Sequence, residues 1–162
     1  MVTVEAVEML HRRAEEDIKR TISPEGYYLA STKDQNFGTL FGRDALIDSK
    51  FTFETLDLHP DRVDLLDPVK NSLYTLALWQ GNVFDPEREE QPGKIIHELR
   101  MDKDPANEAN QNWLRKLRDG GWKVDEQDGI LTMKYYGSVD AQPLFVDVAS
   151  EYLLRTQNAE FF

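Results

Sequence analysis

The stretch TLFGRDALIDSKF at residues 39–51 places Arg43 beside Asp44 where an apolar, helix-like pattern begins. A second stretch, YYGSVDAQPLF at residues 135–145, has the same order: a loop with aromatic residues and glycine, then Asp140, then a helical pattern. One acidic residue at the start of a helix is explained as a cap. Two such loops in one short chain indicate a functional site, with a helical scaffold behind it.

The composition is that of a single globular domain. The chain has 162 residues, 40% of them hydrophobic, with no cysteine and a net charge of -11. A chain of this length can bury about 70% of its unfolded surface, and no run approaches the ~18 apolar residues of a membrane span. Without cysteine there is neither a disulfide framework nor a Cys-ligated zinc site. We expect a cytoplasmic protein that binds no membrane and, because of its acidity, no nucleic acid.

The spacing of the apolar residues predicts a mainly α-helical chain. Apolar residues recur at intervals of three and four, the period of a helix with one buried face. In the segment 142–156, Pro143 falls in the first turn, where proline is tolerated, and Leu144, Val148 and Tyr152 share one face. The predicted helices cover residues 3–21, 43–57, 64–80, 107–119 and 142–156.

The segments between these helices are long. YYLAS at residues 27–31 is compatible with a short strand, and WKVDEQDGILTMKYY at residues 122–136 predicts a β-hairpin that turns at Asp128 and Gly129. Residues 81–105 form a polar stretch whose length is typical of a functional or disordered loop. Helix hairpins joined by long loops indicate a site built at the loop end of the scaffold.

The adjacent Arg43 and Asp44 have two interpretations. A guanidinium with several donors next to a carboxylate that accepts can hold neighbouring hydroxyl groups of a sugar. The alternative is a structural ion pair or a cap at the helix start. These residues alone do not decide between the two.

GKIIHELR at residues 93–100 concentrates four polar side chains, Lys94, His97, Glu98 and Arg100. One histidine next to one glutamate does not form a metal-ligating pattern, so we expect no metal. The segment is either the polar wall of a sugar site or a solvated charged loop. The chain also lacks the glycine-rich motifs of nucleotide sites, and we expect no cofactor.

Asp140 also has two interpretations. It precedes the helix that contains Pro143, where the helix dipole favours a charged carboxylate. A general acid must instead keep its proton near neutral pH, which requires burial among apolar groups or a second carboxylate nearby. Tyr135, Tyr136 and Phe145 are the candidates for the apolar surroundings. A plain N-cap explains Asp140 equally well.

Three stretches together, FGRDALI, PGKIIHELR and YYGSVDAQPLFV, resemble the glucosidase domain of amylo-α-1,6-glucosidases, the glycogen debranching enzymes. Glucoamylases and neutral invertases are related to this family. The resemblance covers about residues 25–160 and is interrupted over about 102–130, where the chain carries an insertion. It implies an (α/α)6 toroid of helix hairpins, here partial and with a small β-hairpin, whose site lies at the mouth.

The resemblance also implies a reaction, the inverting hydrolysis of an α-glucosidic bond without metal or cofactor. Such a site needs two carboxyl groups about 6.5–9.5 Å apart, one as acid and one as base. By the family pattern Asp140 is the general acid, and Glu98 is the internal candidate for the second carboxylate. The remaining residues are implied to bind the α-glucan or oligosaccharide: Arg43 and Asp44 by gripping hydroxyls, Lys94, His97 and Arg100 by lining the subsite, and Phe41, Tyr136 and Trp79 as apolar walls.

The chain departs from the family in its number of helices. A full toroid has about twice as many, and its base is expected in the second half; Glu151 and Glu160 lie in no site-like loop. We therefore expect residues 1–162 to be one domain, the N-terminal half of a toroid that hydrolyses little by itself. Half a toroid exposes apolar faces, which leaves three alternatives: a piece of a longer enzyme, a homo-oligomer, or a non-catalytic carbohydrate-binding or assembly module. A plain helical interaction protein is the remaining class.

Overall fold

The structure is a computed structural model that describes residues 3–32, 37–102 and 108–158. Glu160, the first residue of the helix predicted at 107–119 and the last residues of the polar stretch 81–105 lie outside the described residues. A short 3-10 turn, Val63–Leu65, precedes the third helix. The elements in chain order are α1 Val4–Arg20, β1 Leu40–Phe41, α2 Gly42–Leu58, α3 Leu66–Leu78, β2 Glu98–Met101, α4 Glu108–Asp119, β3 Val124–Gln127, β4 Ile130–Tyr135 and α5 Ala141–Thr156.

The prediction of a mainly α chain is confirmed, and each of the five predicted helices forms within two residues of its predicted ends. Three of them, α2, α3 and α5, pack against one another and build the main core. Complete burial of one leucine or phenylalanine side chain stabilises the fold by about 1.5–3 kcal/mol. The fully buried positions of this helical layer include Ala45, Leu46, Phe53, Val69, Leu73, Leu76 and Val148.

A four-stranded antiparallel sheet lies beside the helices, with the strand order β1-β2-β4-β3. Strand β1 leads directly into α2, and Phe41 is paired with Glu98 of β2. Strand β2 lies inside the stretch 81–105, which the sequence predicted only as a loop. The predicted strand at 27–31 is reduced to an isolated bridge between Ile22 and Tyr28, because Tyr28 donates its backbone N–H to the Ser72 hydroxyl instead of joining the sheet.

The predicted hairpin is confirmed as β3 and β4. Asp128 has φ +52° and Gly129 φ +78°, the pair of positive values that a two-residue type I′ turn requires. Helix α4 packs on this hairpin. A second, smaller core of Leu114, Leu131 and Met133 lies between them.

The first helix forms as predicted, but its apolar face is open. Val7 is 45% exposed, Leu10 60% and Ile18 41%. The amphipathic pattern therefore predicted the helix correctly. Its apolar face is not covered by any of the described residues. None of the helices in the described part of the chain combines the length and the apolar character that a bilayer crossing requires.

Candidate functional site

The first turns of α2 and α5 meet at an ion pair between Arg43 and Asp140. The Arg43 Nε lies 3.2 Å from Asp140 Oδ2, and the two side chains are 55% and 45% exposed. Asp140 occupies the N-cap position of α5, yet its side chain makes no capping hydrogen bond. The Ala141 N–H is instead bonded to the Ser138 hydroxyl. Arg43 and Asp140 thus face each other at the surface and are free of a capping role.

Backbone hydrogen bonds join the three sequence stretches that meet here. The Gly42 N–H donates to the His97 carbonyl at 2.8 Å, and the His97 N–H donates to the Tyr135 carbonyl at 2.8 Å. A Cβ on residue 42 would lie 2.1 Å from the Ile96 carbonyl oxygen, far inside van der Waals contact. Glycine is required there because the start of α2 lies against the backbone of Ile96 and His97, just before β2.

Asp140 is held in its charged form. The Ser138 hydroxyl donates to Asp140 Oδ1 at 2.5 Å, and this bond is the main cause that lowers the pKa of Asp140; partial desolvation opposes it, and Arg43 and His97 add to the lowering. A lowered pKa suits a carboxylate that accepts hydrogen bonds from a ligand or acts as a base. A general acid needs a raised pKa instead. The apolar surroundings that were expected to raise the pKa of Asp140 are not present around this half-exposed side chain.

The two tyrosines of the third stretch point in opposite directions. Tyr135 ends β4, and successive side chains at a strand lie on opposite faces. Tyr136 is 2% exposed and belongs to the main core, and its hydroxyl donates to the Trp79 carbonyl at 3.0 Å. The interpretation of Tyr136 as a wall that a ligand touches is corrected: Tyr135 is the partly exposed ring beside His97.

Glu98 and Arg100 form an ion pair on β2. The Arg100 guanidinium lies 5.9 Å from the centroid of the Phe41 ring and 5.8 Å from that of Trp113, distances typical of a cation–π contact. Arg100 is almost completely buried. The Arg100 side chain therefore lies between two rings, and its positive charge offsets the negative charge of Glu98.

Lys94 is placed near the same surface through Glu89. Its ammonium donates to the Glu89 carbonyl oxygen at 3.0 Å, while the Glu89 carboxylate accepts a hydrogen bond of 2.9 Å from the Tyr135 hydroxyl. Glu89 has φ +53°, a conformation uncommon for residues other than glycine. Such backbone positions are concentrated at functional sites, so Glu89 joins the candidate residues.

Asp44 is exposed in the first turn of α2, one helical turn before Asp48. Partial burial raises the pKa of Asp48 to about 6, with a smaller contribution from the charge of Asp44. Asp48 also acts electrostatically on Tyr28, whose hydroxyl is hydrogen-bonded to Thr52 at 2.7 Å. Within the described residues Asp48 is thus a carboxyl group suited to hold a proton near neutral pH, in the environment of Tyr28.

His97 lies edge-on to two rings. Its ring centroid is 5.7 Å from that of Phe41 and 5.8 Å from that of Tyr135. Its Nδ1 is buried and has no hydrogen-bond partner within the described ranges. Across the part of the chain that the structure describes, no three His, Asp or Glu side chains gather in a manner that could hold a metal ion.

The structure therefore brings Phe41, Arg43, His97 and Asp140 together. Glu98 is paired with Arg100 on β2 instead, and Tyr136 lies in the core. Sequence reasoning missed the roles of Ser138, Glu89 and Asp48. Ser138 and Asp48 carried weak signals, a hydroxyl two residues before Asp140 and a carboxyl four residues after Asp44. Glu89 carried none, because its position depends on a local turn.

Comparison of the chain with protein-family models, with curated proteins and with solved structures returned no match.

Proposed function

We propose that this chain binds the terminal glucose of an α-glucan and is the sugar-gripping half of a debranching-type, inverting α-glucosidase. The observation that carries the proposal is the Arg43–Asp140 pair at 3.2 Å, formed where two helix starts meet. The GKIIHELR stretch lies against it through the Gly42–His97 hydrogen bond. The three stretches that resemble debranching enzymes in sequence are thus adjacent in space.

The pair has the chemistry for neighbouring hydroxyl groups. The Arg43 guanidinium offers donors in a plane, and the charged Asp140 carboxylate offers acceptors. Both side chains are about half exposed, so a ligand can reach them without a rearrangement of the core. A neutral sugar also avoids the repulsion that an anionic ligand would meet from a chain with a net charge of -11.

Hydrolysis needs an acid at the glycosidic oxygen and a base that takes a proton from water. In the proposal Asp140 becomes the acid when bound sugar covers its carboxylate and draws Arg43 away, since both changes raise a carboxyl pKa. Glu98 remains the candidate second carboxylate. Its ion pair with Arg100 stabilises a charged carboxylate but does not position Glu98 to take a proton from the attacking water. We therefore expect slow hydrolysis by the chain alone.

A second candidate function is carbohydrate binding without catalysis. The observation that favours it is the lowered pKa of Asp140, which arises mainly from the Ser138 hydroxyl. A carboxylate that is charged near neutral pH and paired with an arginine is sufficient to bind hydroxyls and does not supply a proton. In this case Asp140 and Arg43 are binding residues only.

The test measures glucose release from short α-1,6- and α-1,4-linked glucans, together with their binding affinities, for the wild-type chain and Asp140→Asn. Asp147→Asn is the matched control, because Asp147 lies on the same helix and pairs with Lys50 at the surface. Release that is lost only in Asp140→Asn supports the hydrolase. Binding without release, weakened by Asp140→Asn and by Arg43→Met, supports the binding module. Wild-type protein that neither binds nor releases sugar refutes both.

A further inference from the structure

A ladder of three ion pairs joins α2 and α5 on the exposed side of the helical layer. The rungs, from the first turns of the helices to their ends, are Arg43–Asp140 at 3.2 Å, Lys50–Asp147, and Asp57–Arg155 at 2.8 Å. Successive rungs are about two helical turns apart on both helices. The two helices therefore run parallel and in register along the whole ladder.

Exposed apolar side chains flank the ladder. Leu58 is 74% exposed and Leu154 is 80% exposed, and in sequence they are next to the two partners of the third rung, Asp57 and Arg155. Phe51, which follows the lysine of the second rung, is 58% exposed. These three side chains lie away from the buried positions of α2 and α5. We refer to the three rungs and these three apolar side chains together as the ladder face.

Solvation explains the ion pairs of the ladder face but not its apolar residues. An exposed ion pair contributes about 0–1 kcal/mol and needs no further partner. Single exposed apolar side chains are common on protein surfaces, yet here three of them surround one row of charges. Apolar side chains mixed with charged groups are typical of the interfaces between proteins. The ladder face therefore indicates a surface that another molecule covers.

The charges make the ladder face complementary to itself. Each rung has one positive and one negative group, so α2 and α5 carry opposite charges at the height of every rung. A two-fold axis parallel to the helices places α2 of one copy opposite α5 of a second copy at the same height. Lys50 then faces Asp147 of the second copy, and Leu58 faces the helical turn that contains Leu154. An antiparallel arrangement centred on the second rung would instead bring the two Lys50 side chains together.

Other occupants fit the ladder face less well. A purely apolar partner would remove water from six charged groups without replacing their hydrogen bonds. A strongly acidic or strongly basic partner would be attracted by one side of each rung and repelled by the other. A second copy of the chain satisfies both sides of every rung.

The size of the ladder face also suits a second copy. The helices α2 and α5 have 17 and 16 residues, so the face is about 25 Å long and, with two helices side by side, about 20 Å wide. Two copies would cover about 1,000 Å² in total, which is the lower limit for a specific interface. A dimer of this size is expected to dissociate at micromolar concentrations.

We propose that the ladder face is the interface of a homodimer in which α2 of each copy packs against α5 of the other. The inference goes beyond the proposed function and does not depend on sugar binding. The two-fold axis brings the first rungs of both copies to the same end, so the two candidate sites are neighbours in the dimer. Sugar assays at protein concentrations below the dissociation constant measure the monomer, in which Asp147→Asn remains a suitable control.

Sedimentation velocity over a range of protein concentrations tests the dimer. The wild-type chain is expected to dimerise reversibly, and Leu154→Glu to weaken the association at least about tenfold, because both copies lose an apolar contact and gain a charge. Leu78→Glu is the matched control, since Leu78 is an exposed leucine at the end of α3 and lies outside the ladder face. Circular dichroism verifies the fold of each variant.

A charge exchange tests the arrangement of the helices. Lys50→Asp combined with Asp147→Lys keeps an ion pair within the chain and reverses the second rung. The exchanged chain should dimerise as the wild type does, but mixed dimers with the wild type should be strongly reduced, because like charges then face each other across the interface. Energy transfer between donor-labelled and acceptor-labelled copies measures the mixing, with labelled wild-type copies as the reference.

The outcomes that overturn this inference are distinct from those that overturn the proposed function. A wild-type chain that stays monomeric at every concentration overturns the dimer, also where a different protein covers the face. A Leu154→Glu chain that dimerises as tightly as the wild type, or an exchanged chain that mixes freely with it, does the same. A monomer that binds glucan leaves the proposed function standing, and a dimer that binds no sugar leaves only the interface.

Discussion

The helical layer of α2, α3 and α5 and the sheet with α4 are stabilised by different chemistry. The helical layer has a continuous apolar core in which Leu73 and Val69 are fully buried. The sheet has only the small cluster of Leu114, Leu131 and Met133, and the buried arginines of the described residues, Arg88 and Arg100, lie on this side of the molecule. Arg88 is 5% exposed and contacts Asp125 of β3 at 2.5 Å.

The difference separates the layer that holds the candidate site in position from the layer that supplies most of its polar groups. Apolar packing tolerates little change in volume and fixes where α2 and α5 begin. Charged groups in the sheet present hydrogen-bonding atoms close to the surface, where a ligand can use them. The rigid layer thus places Arg43 and Asp140, while the polar layer contributes His97, Glu98 and Tyr135.

The largest effect is expected in the helical layer. Leu73→Ala leaves a cavity in the centre of the core and should lower the free energy of unfolding by about 3 kcal/mol or more. Denaturant unfolding followed by circular dichroism measures it. Leu78→Ala is the matched control, since Leu78 ends the same helix and is exposed, and it should cost at most about 0.5 kcal/mol. Equal losses would mean that α3 is not packed as described.

A smaller loss is expected when the charged interior of the sheet is broken. Arg88→Met removes the closer basic partner of Asp125, Lys134 being the other, and the free energy of unfolding should fall by about 2 kcal/mol, since a hydrogen bond between a buried guanidinium and a half-exposed carboxylate is lost. Arg118→Met removes an exposed pair with Glu126 and should cost less than about 1 kcal/mol. An Arg88→Met protein as stable as the wild type would contradict the assignment of Arg88 to the interior.

The same pair should contribute to the acid sensitivity of the chain. Burial raises the pKa of Asp125, but the hydrogen bond and charge of Arg88, together with the nearby Lys134, outweigh it and the pKa is lowered. A carboxyl with a lowered folded-state pKa stabilises the protein above its ordinary pKa and loses this contribution as the pH falls through the lowered value. Arg88→Met should therefore show a flatter loss of stability below about pH 4.

The smallest expected effect is a gain in the free energy of unfolding, obtained by replacing Asp48, a partly buried carboxyl group of the helical layer. Asp48 has a pKa of about 6, above its unfolded value of about 3.9, so its favourable contribution is complete below pH ~4 and is lost as the pH rises through 6. Asp48→Asn should raise the free energy of unfolding by about 1–2 kcal/mol at pH 8, a figure reduced for the solvent that reaches the group, and hardly change it at pH 4. Unfolding curves at both values test this.

Asp44→Asn serves as the companion variant. It removes only the smaller contribution to the raised pKa of Asp48, so its gain at pH 8 should be a fraction of that of Asp48→Asn. A gain for Asp48→Asn that is the same at pH 4 and pH 8 would assign the effect to packing instead of charge.

The helices were predictable because their apolar residues recur at the helical period within each segment. Strand β2 was not, because its partners are distant in the chain: Leu99 pairs with Leu40 on one side and with Lys134 on the other. The open face of α1 was also beyond reach, since periodicity indicates which residues can be buried and not whether a neighbour covers them. The arrangement as half of a toroid remains a prediction.

The site was predictable as a set of stretches and less so as a set of roles. Arg43 was expected to act with Asp44, but adjacent helical residues diverge and Arg43 contacts Asp140. The choice between Tyr135 and Tyr136 depends on where β4 ends, which sequence boundaries do not fix to one residue. The charge state of Asp140 depends on Ser138 and Arg43 together, a tertiary arrangement that no local pattern encodes.

The contact at Gly42 makes the width of this site a backbone property. The amide of residue 42 is bonded to the carbonyl of His97, and even a methyl group would meet the Ile96 oxygen at 2.1 Å. Anyone who grafts the site onto another scaffold would have to copy this backbone approach before any side chain. If this backbone contact is kept, the neighbouring side chains can be replaced to change the ligand preference while the backbone of the site stays the same.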